Sequence, residues 1–486
     1  MEITDLAMKG LNQLDSRFKL LFSNTMFFAL GSIGSKFIMF FLLPLYTNAL
    51  TTKQYGIIEL VITGSNLIIP FISLSIQDAV LRFTLDKQNK RGEVLKNASL
   101  VLTAGAVITI CISPLFSWYK PISEWSVYFV IITILQMYRT VFSLYLKAID
   151  KTKLFAIDNI VYTFLLAIAN IILLLVFKMG ISGYFTAMIF ATLFSLSFIA
   201  LTGGILKDLS NSKINKTLLK QMVVFSTPMI MNAVSWWIAN SSNRILLEHF
   251  ISADAVGIYS VAAKMPSLLT SITSIFMQAW VISSVTEYDS TRDERFYEKT
   301  FMGYNYFLVV LASLIILVIK PFMHVFVGNG FINSWKYVPY LILGSIFLTH
   351  ASFFGAIYTS AKKNIAVMFT TLLGAFINII LNLVLIPYLN IKGASIATMV
   401  SYGVVGIYRM VDSRRYLKFF IDFKKVFLSL IILMAQCTVA LFDFYPMLLS
   451  FGCLILLIML HSKEFWALNQ YGKRFLVNFL VNREDR

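Results

Sequence analysis

The 486-residue sequence is poor in charge: Asp, Glu, Lys and Arg together make up only 13% of it. Soluble domains carry about 25%, so a water-soluble globule is excluded. Cysteine is scarce as well. Cys111, Cys437 and Cys453 each sit inside an apolar run, with neither the number nor the spacing of a disulfide framework or thiolate metal site. The four histidines, His249, His324, His350 and His461, are scattered without zinc-ligand spacing, so neither a metal nor any other cofactor is expected. No G-x-x-x-x-G-K-[ST] loop occurs, which argues against a nucleotide-driven pump. No apolar run opens the chain either; about twenty polar and amphipathic residues come first, so a cleavable signal peptide is not expected. Acidic residues number 24 against 41 basic ones, a net charge of +17. No basic aromatic sheet or finger motif accompanies that surplus, so nucleic acid is not an expected partner.

What abounds is apolar surface. Hydrophobic residues are 58% of the chain, and the mean hydropathy is +0.77. One core could not hide that much, so lipid is the solvent. Spanning helices need roughly 20 apolar residues each. Such runs fall near 21–46, 56–81, 97–119, 126–146, 155–177, 181–206 and 219–246, then near 254–285, 300–321, 337–358, 364–388, 392–411, 426–443 and 445–461. The fold class is therefore all-α polytopic, with about fourteen transmembrane helices. A count of twelve is the alternative, because only Asp443–Tyr445 separates the last two runs.

The basic residues orient these spans. Of the 41 Lys and Arg, 31 fall in or at the edges of the two termini and alternate loops, six in or at the edges of the opposite loops and four deeper within spans. Lys and Arg collect on the cytoplasmic side, so both termini are expected there. All loops are short, and the longest outer one runs around Pro321–Trp335. Membrane glycosyltransferases and polysaccharide polymerases carry a large external loop, so a transporter, not an enzyme, is expected.

An internal repeat is present. Thr51 to Ile57 matches Ser252 to Ile258, with Gly56 and Gly257 201 positions apart. Ala148-Ile149 matches Ala356-Ile357, and Asn170-Ile171-Ile172-Leu173 matches Asn378-Ile379-Ile380-Leu381, both 208 apart. Six spans separate the copies, so the halves share one membrane orientation, as in transporters built from parallel repeats. The expected organisation is a cytoplasmic segment 1–20, a six-helix lobe 21–206, a linker 207–218, a second lobe 219–411, a basic loop 412–425, two further helices in 426–461 and a cytoplasmic tail 462–486.

Several motifs carry a family resemblance. They are Asn24, Gly31, Gly34 and Lys36, Leu43-Pro44-Leu45-Tyr46, Tyr55-Gly56, and Gln77-Asp78-Ala79 before Arg82-Phe83. Ser226-Thr227-Pro228, Val256 to Lys264 and Gly393 to Thr398 continue the pattern. In their order and spacing they resemble the polysaccharide transporters, the O-antigen and capsule repeat-unit flippases of the multidrug/oligosaccharidyl-lipid/polysaccharide exporter superfamily. One departure stands out: an acidic-basic pair common in the seventh span of that family reads Asn243-Arg244 here. The resemblance implies two bundles around a central cavity that opens alternately to each side of a bacterial plasma membrane. It implies a substrate of oligosaccharide on undecaprenyl diphosphate, with polymerase and glycosyltransferases of the same pathway as partners beside membrane lipid. Within the same superfamily, a lipid II flippase and a cation-coupled multidrug exporter are the alternatives.

The four cations within spans are Lys36, Arg139, Arg244 and Lys264. A charge at the bilayer centre costs roughly 2.5–3.5 kcal/mol on insertion scales, so it faces a cavity or a partner. Lys36 and Lys264 lie deepest and are the leading candidates for a cationic lumen that binds pyrophosphate or acidic sugar. Pairing with a carboxylate or snorkelling is the structural alternative, weighing equally for Arg139 and Arg244. Arg82, at the inner mouth, is either a loop charge or a contact for incoming diphosphate. Glu59, Asp78 and Glu248 are candidate coupling carboxylates, although an ordinary interfacial role suits each. Trp236, Trp237 and Trp280 are candidates for stacking on sugar rings, against the commoner roles of packing and interface anchoring. Pro228 and Pro266 are expected to kink the seventh and eighth spans.

Overall fold

A computed structural model describes residue 34 and residues 37–86, 88–290, 292–441 and 446–464, and every element among them is helical. The segment 1–20, most of the first span with Lys36, the Asp443–Tyr445 connection and most of the tail lie outside the described residues. The chain forms two compact units, 1–237 and 238–486.

The first unit opens with α1 (Leu43–Ala49) and α2 (Thr52–Ile72). Thr51 and Gln54 form a reciprocal capping box at the start of α2: Gln54 N donates to Thr51 Oγ1 at 3.2 Å, and Thr51 N to Gln54 Oε1 at 3.0 Å. The apolar run 56–81 is not one helix, as its hydropathy suggests. Leu74 and Ser75 take φ values of 51° and 50°, which no continuous right-handed helix accommodates. The chain restarts as α3 (Ile76–Leu85). Then come α4 (Arg91–Cys111), two single turns, α5 (Ser126–Ala148), α6 (Thr152–Asn170) with a wide π-type extension over Ile171–Val176, and α7 (Gly180–Thr202). Two short helices, α8 (Ile205–Ser210) and α9 (Lys216–Ser226), precede α10 (Met229–Phe250), on which the chain passes residue 237. The core joins Val80, Leu95, Leu102, Met137, Val141, Ile199 and Met222 from α3, α4, α5, α7 and α9.

The linker between α8 and α9 is pinned to α4. Asn97 Nδ2 donates to the Asn215 carbonyl at 3.0 Å, and Asn215 N donates back to Asn97 Oδ1 at 3.1 Å. Asn215 Nδ2 reaches Glu93 Oε2 at 3.0 Å, and Lys96 Nζ reaches the Leu209 carbonyl at 3.2 Å. Gly92 lets the backbones approach: a Cβ there would lie 2.9 Å from the Asp208 carbonyl oxygen.

The second unit holds α11 (Ala253–Ser290), α12 (Glu294–Phe326), a 3-10 segment Asn329–Tyr337, α13 (Val338–Ser360), α14 (Asn364–Asp412), α15 (Phe423–Leu441) and α16 (Pro446–Leu460). Ser252 caps α11 by accepting from Ala255 N at 3.3 Å, the same cap-to-N3 contact that Thr51 makes in the first unit. Pro266 lies inside an unbroken α11, whereas Pro228 falls in the gap between α9 and α10.

Eleven helical stretches among the described residues are long and apolar enough to cross a membrane, with shorter apolar helices at Phe37–Ala49 and Met447–Leu460. One of the eleven contains α14, whose 49 residues would extend about 74 Å at 1.5 Å per residue, against a hydrocarbon core of about 30 Å. Its two arms meet in a kink at Asn390 (φ 53°, ψ −134°), outside the right-handed helical region. Counting the arms separately and adding the two shorter helices gives fourteen. The chain is thus a polytopic α-helical membrane protein.

Each unit also closes its helix ends alike. Tyr145 Oη donates to Asp208 Oδ2 at 2.7 Å in the first, and Tyr358 Oη to Asp412 Oδ2 at 2.8 Å in the second.

Candidate functional site

Helical periodicity gathers polar positions of the second unit around a cavity of about 200 Å³. On α10, Asn240 and Arg244 stand one turn apart and share a face. Tyr259, Ala263, Ser267 and Thr270 recur at three- and four-residue steps along α11, as do Leu341, Ser345 and Leu348 on α13. Thr398 and Tyr402 complete the lining from α14. Arg244 is half-buried; its Nε donates to Ser260 Oγ at 3.0 Å and its Nη1 to the Asn240 carbonyl at 3.4 Å. Tyr402 Oη donates to Asn240 Oδ1 at 2.8 Å. The site therefore offers one guanidinium, one carboxamide and several hydroxyls. A guanidinium fork suits carboxylate or phosphate, and the hydroxyls suit sugar.

A neutral network holds the wall in place. Asn243, 1% exposed, donates through Nδ2 to Tyr259 Oη at 2.6 Å and Thr398 Oγ1 at 2.7 Å. Asn382 Nδ2 donates to Asn243 Oδ1 at 2.6 Å and Asn378 Oδ1 at 2.9 Å. Asn378 Nδ2 reaches Ser401 Oγ at 3.2 Å. Amides thus join α10 and α11 to both arms of α14 without a formal charge.

The first unit contains a charged counterpart. Arg139 Nη2 lies 3.1 Å from Asp158 Oδ2, and its Nε donates to Ser195 Oγ at 2.8 Å. Ser195 Oγ donates in turn to Asp158 Oδ1 at 2.6 Å, and Arg139 Nη2 also reaches Asn159 Oδ1 at 3.2 Å. The Tyr162 ring lies under the guanidinium, 3.8 Å from Cζ to centroid. Arg139 therefore has a carboxylate partner, one of the two roles its position suggested.

The remaining candidates are dispersed. Lys264 adjoins Ala263 on α11, half-buried and off the lining. Arg82 and Asp78 are exposed on α3, whereas Glu59 is buried on α2, one turn from Tyr55. Glu248 is half-buried one turn beyond Arg244. Trp236 is exposed, and Trp237 Nε1 donates to the Thr63 carbonyl at 2.9 Å. Trp280 is buried, its ring parallel to Phe353 with centroids 4.2 Å apart and its Nε1 on the Phe353 carbonyl at 3.0 Å.

Sequence reasoning missed Asp158, the amide network and the nature of Arg409. Grouped with loop charges by its basic neighbours, Arg409 is 5% exposed. It donates to Thr370 Oγ1, Thr371 Oγ1 and the Ala351 and Val367 carbonyls at 2.8–3.1 Å. The i, i+4 spacing of Asn378 and Asn382 in an apolar span was the available signal for the network.

Comparison with known proteins places this architecture. A family model described as polysaccharide biosynthesis protein matches residues 21–284. An uncharacterized membrane protein of Haemophilus influenzae is 25% identical over 401 residues, covering 77% of this chain and 94% of that protein. Among solved structures, the lipid II flippase MurJ in an inward closed conformation superposes with a TM-score of 0.70 at 15% identity, over 91% of this chain and 99% of MurJ. An inward-facing multidrug resistance MATE family transporter of the MOP superfamily gives 0.64 at 14% identity, over 79% and 93%. Both structural likenesses establish the fold, and the family match spans more than half of the chain. The protein belongs to the polysaccharide biosynthesis protein family.

Proposed function

We propose that the protein flips undecaprenyl-diphosphate-linked oligosaccharide repeat units from the cytoplasmic to the outer leaflet of a bacterial plasma membrane. The glycan would serve O-antigen, capsule or exopolysaccharide assembly. The observation that carries this reading is the Arg244 cavity, where a single guanidinium stands among amide and hydroxyl groups. Lining of that kind suits an anionic or sugar headgroup better than a cationic drug. Lys36, Lys264 and Arg82 would be further cationic contacts for the headgroup, and the polyprenyl tail would stay in lipid. Lobes 21–206 and 219–411 would alternate access, with both termini cytoplasmic. Polymerase and glycosyltransferases of the pathway would act before and after the step. Translocation breaks no covalent bond, so no catalytic residue is assigned.

The likeness to a lipid II flippase over nearly all of that chain favours a second reading, a peptidoglycan precursor as cargo. One experiment separates the two. Lipid-linked intermediates are extracted from a deletion strain, identified by mass spectrometry and assigned to a leaflet with an impermeant reagent. A completed repeat unit accumulating on the cytoplasmic side supports the proposal; accumulating lipid II supports the second reading. An unchanged pool with unchanged surface glycan overturns both. Normal surface glycan from a Lys36→Ala, Lys264→Ala double variant would overturn the assignment of those two lysines.

A further inference from the structure

We propose that the strap joining α14 to α15 is a binding site for the headgroup of anionic phospholipid in the inner leaflet. Over 417–422 the chain has no regular secondary structure, and burial alternates from residue to residue. Leu417, Phe419 and Ile421 are buried, while Lys418 and Phe420 are exposed. The buried row anchors the strap: Phe419 meets Tyr297 and Phe354 at ring-centroid distances of 5.9 and 6.4 Å. Tyr288 Oη also donates to the Tyr416 carbonyl at 3.4 Å. This is a built element rather than a loose loop, and its outer face is chemically divided.

Cations gather around the strap: Arg414, Arg415, Lys418 and Lys424 are all exposed. Of the neighbouring acids, Asp412 accepts from Tyr358 through Oδ2 and pairs through Oδ1 with Arg415 Nε at 3.2 Å, while Asp422 Oδ1 accepts from Lys425 N at 3.1 Å to start α15. The Arg415 side chain stays 78% exposed in that pair. Aromatic rings stand beside the cations: Phe420, Phe423 and Phe427 are exposed to 64%, 40% and 66%. The Arg414 guanidinium lies 5.7 Å from the Phe423 ring centroid. Exposed phenylalanine beside exposed arginine is costly in water and favourable where acyl chains meet headgroups. The charge asymmetry of the loops puts this strap on the cytoplasmic side, where anionic lipid supplies the complementary phosphate. The site is separate from the Arg244 cavity and does not depend on the cargo.

Each surface cation adds roughly a fivefold gain in affinity for anionic lipid at low ionic strength. The test uses the full chain purified in neutral detergent, with lipid binding read by native mass spectrometry and by thermal shift. Phosphatidylglycerol and phosphatidylcholine are compared on the parent protein and on Arg414→Gln, Arg415→Gln, Lys418→Gln and Lys424→Gln combined. The expected result is preference for phosphatidylglycerol in the parent and at least a tenfold weakening in the variant. Phosphatidylcholine binding and the lipid-free melting temperature should stay unchanged. A Phe420→Ser, Phe427→Ser variant should weaken lipid binding while leaving the charge intact. Equal binding of phosphatidylglycerol by parent and quadruple variant would overturn the proposal. So would inorganic phosphate reproducing the thermal shift, since the site would then take a soluble anion. If the quadruple variant melts lower, Lys418→Gln with Lys424→Gln alone replaces it, and unchanged affinity there also overturns the proposal.

Discussion

Arg139 and Asp158 form an ion pair at 3.1 Å between neighbouring helices of the first unit, and the carboxylate is wholly buried. Ser195 closes the ring by bonding both partners, so neither charge faces hydrocarbon alone. Such a pair contributes little net stability while intact, because desolvation offsets the attraction. Its weight shows when one member is removed.

Arg139→Gln should therefore destabilise the first unit by about 3–5 kcal/mol, the cost of stranding a buried carboxylate. Asp158→Asn alone should cost less, because the guanidinium, 18% exposed, retains Asn159 Oδ1 and the Tyr162 ring. The combined Arg139→Met, Asp158→Leu protein should recover much of the loss. Thermal melting of purified protein checks the series; melting equal to the parent for Arg139→Gln would show that the pair is dispensable.

Arg244→Gln should leave folding nearly unchanged, since the hydrogen bonds to Ser260 and Asn240 are ones a carboxamide can largely replace. Transport should fall at least tenfold if the guanidinium grips an anionic group, since a charge-assisted hydrogen bond is worth roughly 1.5–3 kcal/mol. Surface glycan output and melting temperature are measured together. Arg244→Lys should restore only part of the activity, because an ammonium lacks the planar fork.

Asn243→Leu removes three buried hydrogen bonds, to Tyr259, Thr398 and Asn382. At an average of about 0.6 kcal/mol for each such bond in a membrane protein, the loss is about 2 kcal/mol. Asn243→Asp keeps the shape, and the Tyr259 and Thr398 hydroxyls can turn to donate to it. It should melt closer to the parent than Asn243→Leu does.

Tyr145→Phe and Tyr358→Phe each delete a hydroxyl donated to a carboxylate. Each should cost roughly 1.5–3 kcal/mol, as for hydrogen bonds to charged groups. The two share no partner and lie in different units, so their effects should add. A double variant no worse than either single one would show that the latches act on a common element.

Features carried by bulk properties can be read from one sequence. Long apolar runs announce a polytopic helical chain and place most of its spans. Contacts between helices are less visible, because they depend on how each helix rotates about its own axis. Asp158 lies 19 positions after Arg139 on the next helix, and nothing in that spacing announces an ion pair. The break at Leu74–Ser75 has no glycine to mark it, and the apolar run continues through it. Arg409 was obscured by Arg414 and Arg415 nearby, although it faces inward. Arg244 was found because a charge in an apolar run is conspicuous. The amides beside it are ordinary enough in membrane helices to pass unnoticed.

The clasp of Asn215 on Asn97 bears on biogenesis. Every partner in it precedes residue 216, as do Glu93, Lys96 and the Asp208 latch on Tyr145. A ribosome that has finished the first half has thus already delivered all the groups that bind the linker to α4. Domains fold as units, the N-terminal one first, during synthesis. The first bundle can therefore close this clasp before the second is synthesised, and the later half does not compete with it for these partners.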